Sequence, residues 1–452
     1  MMTQMMDYAP FLLPALALGL TSTALLILSR SPVAITVVTA LAASVGLYVC
    51  DRLHVPPNLL KNYCSLIFGA SFVVMGRVGG FRTRPWEYTL LAFYIGRVVV
   101  DFLRPDFVLR FTFGGTGDGL FLTAGYFYYK KVFVARPEEA DRVLRTLLYA
   151  GVLLALPGLV ESVTGRDLFG YADPRFFIEQ GYRANSVFRG PENLGASGAL
   201  TFFVALLLYW RGTLRANALY GWAAVLLLGT IAALYRGIWL AFAAAVVCLR
   251  FAETRRPRLP RLAFKLVTTS LLGLCAVVML WYVLRGTSFY EQRLANPENW
   301  FLRLTIYETL ARGIAASPWL GHGTGTVEEY LANSWYNTTD LYTSHNGYLT
   351  VLYENGAIFC ALYLAWFAAL LGRVRFEGSR SAVACGAMLV TLLITNLTLD
   401  LPLAFIFFAL PPLVTAALAT AEEALHGSSD DAEVDDDADA EAAVGYPAPA
   451  YR

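Results

Sequence analysis

The chain has 452 residues, 57% hydrophobic and only 15% charged, with a mean hydropathy of +0.52. A soluble domain carries about 25% charged residues, so the composition argues against a water-soluble globule. The net charge of +1 hides an asymmetry, because ten acidic residues and no basic one lie between Glu422 and Glu441 and the remainder is basic.

Apolar runs near the roughly 20 residues that a bilayer core requires recur along the chain. Spans are predicted at 9–28, 32–50, 60–76, 86–103, 146–163, 194–210, 217–234, 238–251, 265–284, 346–371, 382–398 and 402–420, with a weaker one near 112–129. The first is read as a retained span, since neither a basic region before it nor a cleavage pattern after it is present. The fold class is an all-α polytopic integral membrane protein of 12 transmembrane helices, or 13 if the weak run counts. Its transmembrane body covers 1–421 and an acidic tail covers 422–452. Like charge and few aromatics make that tail a disordered, solvated segment to which no chemistry is assigned.

Segment 250–265 sets Arg250, Arg255, Arg256, Arg258, Arg261 and Lys265 against Glu253, and the positive-inside rule makes it cytoplasmic. Arg211 with Arg215, and Arg373 with Arg375 and Arg380, mark two further cytoplasmic turns, and Lys130–Arg145 fits the same side. Connections 164–193 and 285–344 then lie outside, rich in Arg, Asn, Trp and Tyr. Loops of that length between helices are usually functional or disordered. Their aromatic content favours function, in contact with polar ligands that have apolar faces, such as sugars. An amphipathic loop resting among lipid headgroups is the plainer alternative.

Three residues stand out. Arg236, in AALYRGIWLAF, sits between two runs each barely long enough to span. A charge at that depth is costly and points to function, the alternative being a short outer turn with Gly237 breaking the helix. Arg303, in WFLRLTIYETL, is four residues before Tyr307 and shares a face with it if the segment is helical. A surface pair with Glu298 or Glu308 would explain it equally. His345, in TSHNGYLTVLYENG, enters an apolar helix directly after Ser344, the expected N-cap. The helix dipole would keep its ring neutral, as a general base requires; taken alone, a structural capping role fits such a histidine better. Glu354 falls half a turn from the His345 face and is expected to partner a basic group on a neighbouring span.

Other chemistries lack their residues. The six cysteines are scattered without C-x-x-C spacing, so neither a disulfide framework nor a zinc site is expected. GGTGDG at 114–119 has no preceding strand and no Lys-Ser/Thr pair, and reads as a loop. No D-x-D pair occurs in an outer loop, and no metal or other cofactor is expected.

YRGIWLA, then R-L-x-x-Y followed by SPWLGHGTG, then SHNGYLTVLYENG, in that order around one large outer loop, resemble the bacterial O-antigen ligase and polysaccharide polymerase superfamily. The likeness is best over 230–372. It implies a GT-C-like, many-span glycosyltransferase of the inner membrane with a large helical periplasmic loop and an active site facing the periplasm. The implied donor is a glycan on undecaprenyl diphosphate, and the acceptor a glycan or lipid A-core. Membrane lipids surround the chain, chain-length regulator proteins are further candidate partners, and no nucleic acid is involved. On this resemblance Arg236 and Arg303 would hold the diphosphate and His345 would deprotonate or orient the acceptor hydroxyl. Arg189, Tyr307 and Asn346 are additional candidate substrate contacts. An inverting, metal-independent displacement follows from that arrangement. The family's usual Ser before the Arg-Gly pair is Tyr235 here, which puts local hydrogen bonding in doubt. A lipid-linked glycan flippase or transporter, binding substrate through the same arginines without chemistry, is the alternative. It would call for broken helices or paired repeats, and no repeat is visible in the sequence.

Overall fold

A computed structural model describes residues 23–52, 57–104, 117–170, 184–188, 190–252, 298–334, 344–377, 379–397 and 410–424. Among these every regular element is a helix. In chain order they are α1 (Pro32–Leu41), which passes through a π turn (Ala42–Gly46) into α2 (Leu47–Arg52), then α3 (Pro57–Val74), α4 (Tyr88–Phe102), α5 (Gly117–Ala135), α6 (Glu139–Thr164), α7 (Pro191–Trp210), α8 (Ala216–Ala232), α9 (Arg236–Ala252), α10 (Glu298–Ala316), α11 (Val327–Ala332), α12 (Gly347–Glu377) and α13 (Arg380–Asn396). Residues 410–424 form a last helix, α14.

Among the described residues four helices are long and apolar enough to cross a membrane: Pro32–Cys50, Glu139–Thr164, Pro191–Trp210 and Gly347–Gly372. Shorter apolar helices accompany them at Asn62–Val74, Ala216–Ala232, Arg236–Leu249 and Arg380–Asn396. A polytopic membrane protein fits this set. The expected count of 12 also rests on 9–28, 265–284 and 402–420, which lie wholly or partly outside the described residues. So do the two ends of 285–344, the basic loop from 253 onward, and the tail beyond 424.

The weak run at 112–129 belongs to α5, the aromatic pillar of the bundle. Phe121, Tyr126, Tyr128, Tyr129 and Phe133 are fully buried along it. The sequence placed Lys130 on the cytoplasmic connection, yet it lies inside α5 with no exposure. Its ammonium donates to both Glu87 carboxylate oxygens at 2.6 Å and to the Arg82 carbonyl at 2.8 Å. Tyr126 donates to the same carboxylate at 2.6 Å. A buried charge is tolerated only when paired and hydrogen-bonded in this way, so the helix continues through a lysine that hydropathy treats as its end.

The turns read as cytoplasmic gather at one end of the bundle. Arg211 bridges Asp141 and Glu422, Arg84 pairs with Glu423, and Arg380 donates to the Trp210 carbonyl. Towards the other end, α6, α7 and α8 are drawn together by glycines. A Cβ on Gly158 would meet Leu194 at 2.5 Å, and one on Gly198 would meet Thr230 Oγ1 at 2.5 Å. Small residues at such contacts let helix backbones approach where apolar burial alone gives no drive to associate. That close packing positions the site.

Candidate functional site

Arg236 is placed by the α8–α9 reversal. Leu234, with φ +48°, takes the left-handed conformation, and its N–H donates to the Ile231 carbonyl at 2.9 Å. The break therefore falls at Leu234, while Gly237 is an ordinary residue of the first turn of α9. The reversal packs closely against α7: a Cβ on Gly195 would lie 3.2 Å from buried Ala233 and 3.1 Å from buried Ile238. Trp239 Nε1 donates to the Thr230 carbonyl at 3.0 Å and closes the turn from the α9 side. Arg236 is thus the first residue of α9, ahead of its apolar stretch, where free N–H groups and the helix dipole already favour an anion. Burial, and then the neighbouring Arg303 guanidinium, push its pKa below the usual arginine value.

Arg303 comes from α10, one turn ahead of Tyr307. Of the two carboxylates offered as its surface partner, Glu308 binds Arg312 instead at 2.7 Å, and the Glu298 side chain lies outside the described ones. Among the described residues neither Arg236 nor Arg303 has a carboxylate partner. Tyr307 donates its hydroxyl to the His345 carbonyl at 3.4 Å, tying α10 to the entrance of α12.

His345 has φ +51°, a left-handed conformation that costs a non-glycine residue free energy and clusters at functional sites. The expected cap is shifted by two residues. Asn346 Oδ1 accepts the N–H groups of Tyr348 and Leu349, each at 3.1 Å. Ser344 Oγ instead accepts the Asn346 N–H at 3.0 Å and meets Thr350 Oγ1 at 2.7 Å, bracing the turn from behind. Asn346 was a candidate substrate contact; its side-chain oxygen is committed to the start of α12. The His345 pKa is lowered to about 4, by burial first and by Arg303 second. A neutral ring at neutral pH agrees with the expectation, and burial beside the Arg303 cation accounts for it.

The segment SPWLGHGTG anchors this arrangement to the bundle. Helix α12 is broken at Gly356, with φ +74° and ψ 177°. The freed backbone groups are met by the turn after α10: His322 N–H donates to Tyr353 O (2.9 Å), Gly323 N–H to Glu354 O (2.8 Å) and Ala357 N–H to Pro318 O (2.8 Å). His322 stacks on Tyr353 with ring centroids 4.5 Å apart, and its Nε2 lies 2.7 Å from the Gly313 carbonyl. From the other side α4 grips the same turn. Arg97 Nε donates to Thr324 Oγ1 at 2.9 Å, Asp101 accepts the Thr324 N–H at 3.2 Å, and Arg104 donates to the His322 carbonyl. Glu354 is buried, and Oε1 accepts the Val327 N–H at 3.4 Å.

Arg303 is therefore an electrostatic neighbour of both Arg236 and His345, which are distant from it in sequence; Tyr307 meets the His345 backbone carbonyl and Asn346 caps the helix that follows. Arg189 lies outside the described residues. The polar residues of α4 and the carboxylate of Glu161 were not singled out from the sequence. Arg97 and Asp101, charged within an apolar run, were the available signal for the first; Glu161 gave none. Such a spot, with two guanidinium groups, a helix N-terminus and a neutral imidazole, can bind a compact polyanion beside a base. A family model described as O-antigen ligase matches residues 221–364, which contain all three residues. No curated protein matches the chain.

Proposed function

The match across residues 221–364 supports the O-antigen ligase and polymerase superfamily, and from that premise we propose an inner-membrane glycosyltransferase. It moves a glycan from an undecaprenyl-diphosphate donor to a sugar hydroxyl on a glycan or lipid A-core acceptor, at the periplasmic face. The observation that carries this reading is that the matched segment 221–364 contains Arg236, Arg303 and His345 together, with Arg303 near enough to lower the pKa of the other two. One centre then holds the groups that a diphosphate leaving group and an attacking hydroxyl require.

The chemistry follows from charge. A diphosphate departs readily once its developing negative charge is met, and aligned guanidinium donors meet it in bidentate fashion. Arg236 and Arg303 repel each other; an anion between them relieves that repulsion. His345, neutral and held by Tyr307 and the Asn346 cap, accepts or orients the acceptor hydroxyl proton. Attack from the face opposite the diphosphate inverts the anomeric carbon.

Breaking of α12 at Gly356 favours a second reading, transport of the lipid-linked glycan, since interrupted helices line transporter sites. The groups freed here are bonded by the 318–323 turn and are not directed at a ligand. The experiment that separates the readings supplies purified protein with a defined undecaprenyl-diphosphate oligosaccharide, with and without acceptor. A product ladder identifies a polymerase and a single acceptor-dependent shift a ligase, and either is lost in His345→Ala. Absence of any glycan transfer by the wild type contradicts the proposal.

A further inference from the structure

A second polar assembly adjoins the Arg236 turn and has no part in the roles above. Glu161, in the last turn of α6, is fully buried. The α6 dipole opposes a carboxylate at that end, and among the described residues no basic side chain pairs with it. Its partners are backbone N–H groups from both feet of the first outer loop. Leu168, on the way out, donates to Oε1 at 3.1 Å. Asn185 and Ser186, on the way back, donate to Oε2 at 2.9 and 2.7 Å.

The returning limb of that loop is fixed with unusual firmness for a connection. Ser186 is held left-handed at φ +55°, and its Oγ donates to the Leu154 carbonyl at 2.6 Å. Ala184 N–H donates to the carbonyl of Ala232, the last residue of α8, at 3.3 Å. Ala232 leads directly into Ala233 and Leu234, the reversal that ends in Arg236. Glu161 therefore stands at one end of an unbroken run of contacts: carboxylate, Asn185–Ser186 backbone, Ala184, Ala232, the Leu234 reversal, Arg236. A buried charge at an unfavourable helix end is an expensive way to close a loop. Its expense is accounted for if what it fixes is the position of a guanidinium.

We infer that Glu161 is a positioning residue for the Arg236 cation site, clasping the first outer loop against the α8–α9 reversal so that the guanidinium meets the donor's diphosphate. This rests on the proposed function, and it adds to that reading a residue contributed from outside the segment 221–364. Misplacing a binding group by about 1 Å can cost on the order of 100-fold in rate.

The test uses full-length protein and measures donor KM and kcat separately for the wild type, Glu161→Ala and Glu161→Gln. Glu161→Ala should raise the donor KM by about 10- to 100-fold, with a smaller change in kcat. Glu161→Gln keeps one carbonyl oxygen for the Asn185–Ser186 pair and should recover most of the loss. A residue that only supported folding would lower the active fraction, so Vmax per milligram would fall at unchanged KM; that outcome, or wild-type kinetics in Glu161→Ala, overturns the inference. If the wild type transfers no glycan, the proposed function fails by itself. Undecaprenyl diphosphate alone then serves as the probe, and weaker binding to Glu161→Ala than to wild type upholds the clasp. Equal binding to both, or none to the wild type, ends it.

Discussion

Replacing Gly356 by Ala perturbs the point where α12 is interrupted. The backbone there, φ +74° and ψ 177°, lies in a region open essentially to glycine alone, at a cost of about 1–3 kcal/mol for any other residue. Space is also lacking, since an added Cβ would sit 2.5 Å from the Leu320 nitrogen and closer still to the Trp319 carbonyl. The 318–320 segment must retreat, which loosens the bonds Ala357 N–H to Pro318 O (2.8 Å) and Ile358 N–H to Trp319 O (3.4 Å). Each buried backbone group left unpaired costs roughly 1–3 kcal/mol, so strain and the two loosened bonds together cost on the order of 3–9 kcal/mol. Thermal unfolding in detergent should show Tm lowered by about 3–9 °C, and protease should cut within 318–326. Gly321→Ala attacks the same contact from the other side, with a Cβ 2.5 Å from the Asn355 nitrogen, and its effect should add little to that of Gly356→Ala. A Gly356→Ala protein that unfolds within a degree of wild type would show that neither the strain nor the close approach matters to stability.

Two further perturbations follow from the same geometry. Lys130→Met leaves the Glu87 carboxylate buried without its cation and should destabilise the protein by about 3–5 kcal/mol, whereas Lys130→Met with Glu87→Leu should recover most of that loss; comparative thermal unfolding of the single and double variants decides. Arg236→Lys and Arg303→Lys keep the charge but lose the bidentate fork, and each should reduce glycan transfer by about 10-fold or more, measured as kcat/KM for the lipid-linked donor. Near-wild-type transfer by both lysine variants would remove the diphosphate-gripping role.

Hydropathy was sufficient to locate α1, α6, α7 and α12, because a long apolar run has few alternatives to a helix in the membrane. The candidates at Arg236 and His345 were visible for a related reason: polar residues interrupting apolar runs are expensive and stand out. Reversal at Leu234 and not Gly237 was hidden, since the left-handed residue is selected by the packing of Ala233 and Ile238 against α7. The cap at Asn346 competed with an equally plausible Ser344, and only the path of the chain through His345 separates them. Lys130 looked like the end of a span because its partner, Glu87, is 43 positions away. Glu161 could not be found at all: its partners are backbone groups, which have no residue-type signature.

The proposed glycan transfer depends on Arg303 facing His345 across one site. That juxtaposition can be read by following the His345 ring with pH, by NMR of isotope-labelled histidine, in wild type and Arg303→Gln. The wild-type ring should titrate near 4 and so remain neutral through the range in which transfer is assayed. Because its native pKa lies below the unfolded value of about 6.5, the ring's cost to stability grows as pH falls from there and levels off below 4. Removing the Arg303 charge should move the titration upward, short of the unperturbed value, because burial is the larger cause and remains. An unchanged titration in Arg303→Gln would place the guanidinium and the imidazole apart, and the shared site with them.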